Sequence, residues 1–170
     1  MPEATPPAVP PELEDALREA WRANCRITRF VLDETSDAGL LCSLSKRGGR
    51  DVARQFAHIH DVRRAHLESR AKFLAEDVPK FATKGSKPKP TRAALETALD
   101  LSAERIEALL VGVLRGTPRH RGFKRGIFTT LSYFVAHEAH HRGSILLTLK
   151  EGGENLPADS RMTIWGWDQI

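Results

Sequence analysis

A chain of 170 residues, 41% hydrophobic and 28% charged, has the size and balance of one globular domain. No apolar run approaches the roughly 18–20 residues that span a bilayer, and Met1-Pro2-Glu3-Ala4 lacks the basic-then-apolar build of a signal peptide, so a cytoplasmic protein without membrane contact is expected. The net charge of +4 gathers in local clusters such as Lys80, Lys84, Lys87 and Lys89, without interleaved aromatics or a recognition-helix pattern, which argues against nucleic acid as a partner.

Residues 1–11 hold Pro2, Pro6, Pro7, Pro10 and Pro11, too many for a regular element, and are read as an N-terminal tail. Pro11 suits the first turn of a helix predicted over 12–34, with Glu12, Glu14 and Asp15 at the positive end of its dipole and Leu13, Leu17, Trp21, Thr28 and Val31 at helical spacing. Gly39, Gly48 and Gly49 mark 35–49 as a connection. A second helix is predicted over 50–75, with Val52, Phe56, Ile59, Val62, His66 and Phe73 on one face. Pro79, Gly85, Pro88 and Pro90 stop it, and Thr91 is placed to cap a third helix over 92–114 whose stripe is Leu95, Leu99, Ile106, Leu110 and Leu114.

Beyond Gly116 a fourth helix is predicted over 127–150, with Ile127, Leu131, Phe134, Glu138, Ile145 and Leu149 on one stripe and Gly152-Gly153 after it. Residues 151–170 are read as a C-terminal tail whose Trp165 and Trp167 pack on the bundle or at an interface. No segment alternates with period two. The economical fold is therefore an all-α four-helix bundle over 12–150, with a crossover between helices 2 and 3. Cys25 and Cys42 are the only cysteines, and their spacing fits neither a disulfide framework nor a paired zinc-ligand set.

Chemistry concentrates in His137-Glu138-Ala139-His140-His141-Arg142-Gly143 of the fourth helix. Residues four apart stand one turn above each other, so His137 and His141 offer two imidazoles to one metal ion while His140 points away. A third ligand must come from another helix, where His58, His60 and His66 are all candidates that helical geometry does not separate. Three imidazoles without sulfur suit zinc, nickel or iron and leave positions open for water or substrate, an arrangement of catalytic rather than structural sites. The run also fits the five-residue H-E-x-x-H zinc-protease pattern. Its longer form with a third histidine is absent here, and no strand-bearing domain accompanies it, so peptidase activity is not expected.

Two segments, Ala57-His58-Ile59-His60-Asp61-Val62-Arg63 and His137-Glu138-Ala139-His140-His141-Arg142-Gly143, resemble the paired signature of the DinB-like, YfiT-type family of metal-binding four-helix proteins, which includes thiol-dependent S-transferases and isomerases. The resemblance extends over about 12–150 and implies that His58, His137 and His141 form the metal triad. Ser144 departs from it, standing where relatives commonly carry Gln. It further implies a divalent-metal-dependent enzyme that uses a low-molecular-weight thiol on a small-molecule electrophile, and pairing of two copies into a homodimer. Arg63 and Arg142, with Arg125, are candidates to bind an anionic thiol cofactor by sequence position. The alternatives are a metal-dependent small-molecule hydrolase with Glu138 or His60 as catalytic base and a non-enzymatic metal-binding module, with His66 a further polar group near the site.

Overall fold

The structure, a computed structural model, describes residues 9–44, 50–81 and 89–170. Most of the proline-rich tail, Gly48, Gly49, Lys84, Gly85, Lys87 and Pro88 lie outside that set. Four long helices build the molecule: α1 (Pro11–Glu34), α3 (Val52–Arg70), α4 (Arg92–Leu114) and α5 (Ile127–Glu151), with short helices α2 (Asp37–Leu41) and α6 (Ala158–Thr163) in the connections. Among the described residues there is no strand, and no helix is long and apolar enough to cross a membrane.

Local chemistry sets most of the boundaries. Pro11 opens α1, with Glu12 and Glu14 in its first turn. The Asp51 carboxylate accepts from the Arg54 amide at 2.9 Å and caps α3, and the Thr91 hydroxyl caps α4 through the Ala94 amide. Gly116 and Gly153 adopt φ of 65° and 79°, the left-handed conformation in which a chain leaves a helix.

The second predicted helix is shorter than its periodicity suggested. It ends at Arg70, followed by a 3₁₀ turn over Lys72–Ala75. No glycine or proline marks the break. The Arg70 carbonyl instead accepts from the Arg121 amide of the loop before α5, a partner that the local sequence does not contain. The buried face of α3 also differs from expectation: Val52, Phe56 and Ile59 are inside, but so are Ala53, Gln55, Ala57, His60, Arg63 and Leu67, whereas Val62, His66 and Phe73 are only half-buried. The cause is that α3 packs against both α4 and α5, so an arc wider than one stripe is covered.

Two apolar layers hold the bundle together. One joins Val31 and Leu32 from the end of α1, Phe56 and Ile59 from the start of α3, Leu95 and Leu99 from the start of α4, and Ile145 and Leu149 from the end of α5. The other joins Leu17 and Trp21, Leu67, Ile106 with Leu110, and Phe134 from the opposite ends of the same helices. This pairing makes α3 and α4 parallel to each other and antiparallel to α1 and α5. The end of α3 and the start of α4 therefore lie at opposite ends of the bundle, as the expected crossover requires, and the described part of the connection passes from Ala75 and Val78 in the second layer to Phe81 against the first.

The C-terminal segment returns to the bundle, where Leu156 is buried with the first layer, Ile164 packs against it and the Arg26 guanidinium donates to the Ile170 carbonyl at 2.6 Å. Trp165 stays 78% exposed.

Candidate metal centre

Because α3 and α5 run antiparallel, position 58 of one faces positions 137 and 141 of the other. His58, His137 and His141 each present a ring nitrogen, and these three atoms lie within 4.8 Å of one another. The two α5 imidazoles stand one turn apart with their Nε2 atoms 3.1 Å apart, and the His58 ring packs edge-on to both, its centroid 4.7 Å from that of His141.

A ligand edge of about 2.9 Å for octahedral and about 3.3 Å for tetrahedral coordination follows from metal–nitrogen distances of roughly 2.0–2.1 Å, so the observed Nε2 pair has the separation of two donors to one ion. All three rings are half-buried. Desolvation, reinforced at His58 and His141 by the neighbouring imidazoles and at all three by the nearby Arg50 charge, pushes His58 and His137 below the usual histidine range and His141 down to about 4. Near neutral pH the site is thus three uncharged imidazoles with lone pairs available, the form that ligates metal. The donor set fits a divalent cation.

Beneath the triad lies a polar belt that separates the two apolar layers. Glu138, fully buried, accepts from Arg63 Nε at 2.7 Å and Arg63 Nη2 at 2.8 Å, from the Asn24 amide at 2.9 Å and from the Thr28 hydroxyl at 3.0 Å. Arg142 Nη1 donates to Asn24 Oδ1 and Thr28 Oγ1. Arg63 also donates to the Leu99 carbonyl and Ser102 hydroxyl of α4 and stacks over Trp21. All four long helices meet in this network.

Several sequence expectations change here. Glu138 was a candidate base, but both of its oxygens are taken by the network, four hydrogen bonds in the core. Arg63 and Arg142 were candidate cofactor ligands, yet both guanidiniums are buried and bound to Glu138, Asn24 and Thr28, with no face toward a soluble anion. His60 is wholly buried, its Nδ1 2.8 Å from the Ala98 carbonyl and its Nε2 2.7 Å from the Pro79 carbonyl, so neither nitrogen is open to act as a base. Arg125 lines a separate cleft beside Arg70 and Lys124. His140 is exposed, as its position on the helix wheel required.

A family model, described as the DinB family, matches residues 12–167, nearly the whole chain. The chain belongs to the DinB family. No curated protein and no solved structure matches it.

In this DinB-family chain three further groups border the triad that its sequence did not single out. The Tyr133 ring stacks parallel to His137 with centroids 6.0 Å apart. Arg50 and Gln55 line a cleft of about 300 Å³ together with His140, His141, Ser144 and Thr148. Gln55 carried a readable signal, a polar residue three after Val52 and four before Ile59 on the buried face. Arg50 carried none: it lies off the apolar stripe, and in the structure it stands just before the Asp51 cap of α3, which begins at Val52 and not at position 50 as expected.

His66 lies beside the site on an aromatic patch of Tyr133 and Phe134, its Nδ1 accepting from Arg70 Nε at 3.1 Å. Burial and the Arg70 charge hold it down to about 4. Since His66 and His141 titrate in the folded state well below the usual 6.5, the unfolded chain binds more protons between these values. Stability of the metal-free protein is expected to be level above about pH 6.5 and to fall as pH drops toward 4. Urea midpoints across that range check this, with His66→Phe flattening part of the slope. A midpoint independent of pH over the interval contradicts it.

Proposed function

We propose that this DinB-family protein is a divalent-metal-dependent enzyme that joins a low-molecular-weight thiol to a small electrophilic substrate, or uses the thiol to assist an isomerisation. One observation carries the reading: three half-buried imidazoles converge on one point instead of closing a buried cage, and one of them, His141, forms part of the wall of an open cleft. A cation held by His58, His137 and His141, in the zinc, nickel or iron class, supplies Lewis acidity that lowers the pKa of a thiol toward neutrality. The chain's own contribution is to keep the three rings uncharged and aligned, through half-burial of the rings and through the Glu138 belt that anchors α5 to α1 and α3. With Glu138 and His60 engaged elsewhere, the hydrolase alternative lacks the base first assigned to it.

A cytoplasmic setting is supported by Cys25 and Cys42, both free thiols. A homodimer is proposed from the exposed Trp165 and Met162 beside Trp167, at the C-terminal end of the chain.

The test is metal analysis of protein prepared without an affinity tag, followed by thiol conjugation to monochlorobimane before and after chelation. About one equivalent of metal and a conjugation rate that is lost with chelator and restored by metal are expected. Ester hydrolysis that needs the metal but no thiol turns the assignment to the hydrolase. Full metal content without either activity leaves a metal-binding module.

A further inference from the structure

The cleft beside His141 contains an unsatisfied group that specifies part of its ligand. Gln55 is only 6% exposed, and its Oε1 is the one buried side-chain nitrogen or oxygen among the described residues without a hydrogen-bond partner. Its amide cannot relieve this by turning over. Gln55 Nε2 donates to Thr148 Oγ1 at 3.1 Å, and Thr148 Oγ1 spends its single proton on the Ser144 carbonyl at 2.7 Å. With the amide reversed, Oε1 would face an oxygen that has no proton left to give. The chain of donors therefore fixes Oε1 as an acceptor awaiting an N–H or O–H, and a buried acceptor left unmet destabilises its surroundings.

The rest of the lining supplies a complementary charge. Arg50 borders the same cleft, and no ion pair engages its guanidinium among the described residues; the lining contains no carboxylate. Guanidinium geometry matches a carboxylate in a bidentate pair. The volume of about 300 Å³ lies at the small end of ligand sites, enough for a compact molecule and not for an extended chain.

We infer that this cleft is the substrate subsite, and that it takes a small carboxylate that also carries an N–H or O–H donor, the carboxylate on Arg50 and the donor on Gln55 Oε1. This rests on the metal reading above, since His141 forms part of both the cleft wall and the triad, and it adds to that reading the chemical class of the molecule placed beside the cation.

The experiment is calorimetric titration of full-chain protein, loaded with zinc, with three related probes. N-acetylglycine has both the carboxylate and the N–H, N-acetylglycinamide lacks the charge, and N-acetylsarcosine lacks the N–H. N-acetylglycine is expected to bind about fivefold more tightly than either of the others, the worth of one partly exposed charge pair or one hydrogen bond. Arg50→Gln is expected to abolish the preference for the charged probe, and Gln55→Leu to abolish the preference for the N–H.

Because Gln55 is buried and Gln55→Leu also removes the Nε2 bond to Thr148 Oγ1, the thermal midpoint of that variant is read alongside to establish that it is folded during the titration, while the wild-type and Arg50→Gln titrations test the inference without it. Equal affinity of the zinc-loaded wild type for the three probes, or no binding of N-acetylglycine at millimolar concentration, overturns the inference. Zinc content measured on the same samples separates the two readings: zinc present without probe selectivity sinks the subsite alone, and no zinc sinks the metal site and the subsite with it.

Discussion

Glu138→Ala is expected to destabilise the protein by about 3–5 kcal/mol, because it strips the only carboxylate from a belt that contains two buried guanidiniums. Arg63 would lose its two bonds to Glu138 Oε1 and Oε2, and would keep only the Leu99 carbonyl, Ser102 and the weak Cys25 contact at 3.6 Å. Arg142 would lose the ion pair at 3.9 Å while keeping Asn24 and Thr28. Neither cation can reach water without opening the bundle. For a chain of this length the loss corresponds to a fall of roughly 10 °C in thermal midpoint, measurable by circular dichroism at 222 nm with urea titration in parallel.

The double replacement Arg63→Met with Glu138→Leu should recover part of the loss, since exchanging a buried ion pair for apolar groups of similar volume is often neutral. The same substitution separates a structural from a catalytic carboxylate. A Glu138→Ala protein as stable as the wild type but inactive would return Glu138 to the role of base.

His141→Ala is expected to lower metal affinity at least about 100-fold, more than losing a residue that merely orients a ligand, so that metal retained by the wild type through dialysis is lost from the variant. His141 is the ring common to the closest contacts in the cluster, 4.5 Å from His137 and 4.7 Å from His58 between centroids. Its removal leaves two imidazoles on different helices. Elemental analysis gives the primary reading, and the thermal shift on adding zinc gives a second: wild-type stability should rise by about 2.7 kcal/mol when free zinc is 100 times its dissociation constant, and the variant at the same zinc concentration by no more than about 0.4 kcal/mol. His140→Ala, one residue away and exposed, should retain metal as the wild type does. Full metal content in His141→Ala would remove the triad from consideration.

Much of this was legible in the residues. The spacing of Leu17, Trp21, Thr28 and Val31, of Leu95, Leu99, Ile106 and Leu110, and of Phe134, Glu138, Ile145 and Leu149 follows from a local rule, 3.6 residues per turn, and each of these positions is buried. Thr91 as a cap and Gly116 as a stop are equally local. The pairing of His137 with His141 needed only that the segment be helical.

The belt was half legible. Arg63 stands four after Ile59 and four before Leu67, and Arg142 four after Glu138, so the helical wheel put both on buried faces; a buried guanidinium needs a carboxylate, and Glu138 was already on the inner stripe. Reading the two arginines as surface ligands for an anion overlooked that constraint. His60 was ambiguous for a different cause, since its two carbonyl partners come from α4 and from the crossover, far away in the chain.

By itself the sequence determined the four helices, most of their caps, their inward stripes and two of the candidate metal ligands, because each depends on contacts within a turn or two of backbone. The family resemblance added His58, and the tertiary structure supplied the physical reason: α3 lies antiparallel to α5, so that His58, and neither His60 nor His66, meets the His137–His141 pair. The tertiary structure alone decided where α3 stops, with the Arg121 amide on the Arg70 carbonyl, and that Gln55 and Arg50 share a cleft with His141. These depend on the rotation and register of one helix against another, set by the packing of both apolar layers at once, and no local repeat in the chain encodes that.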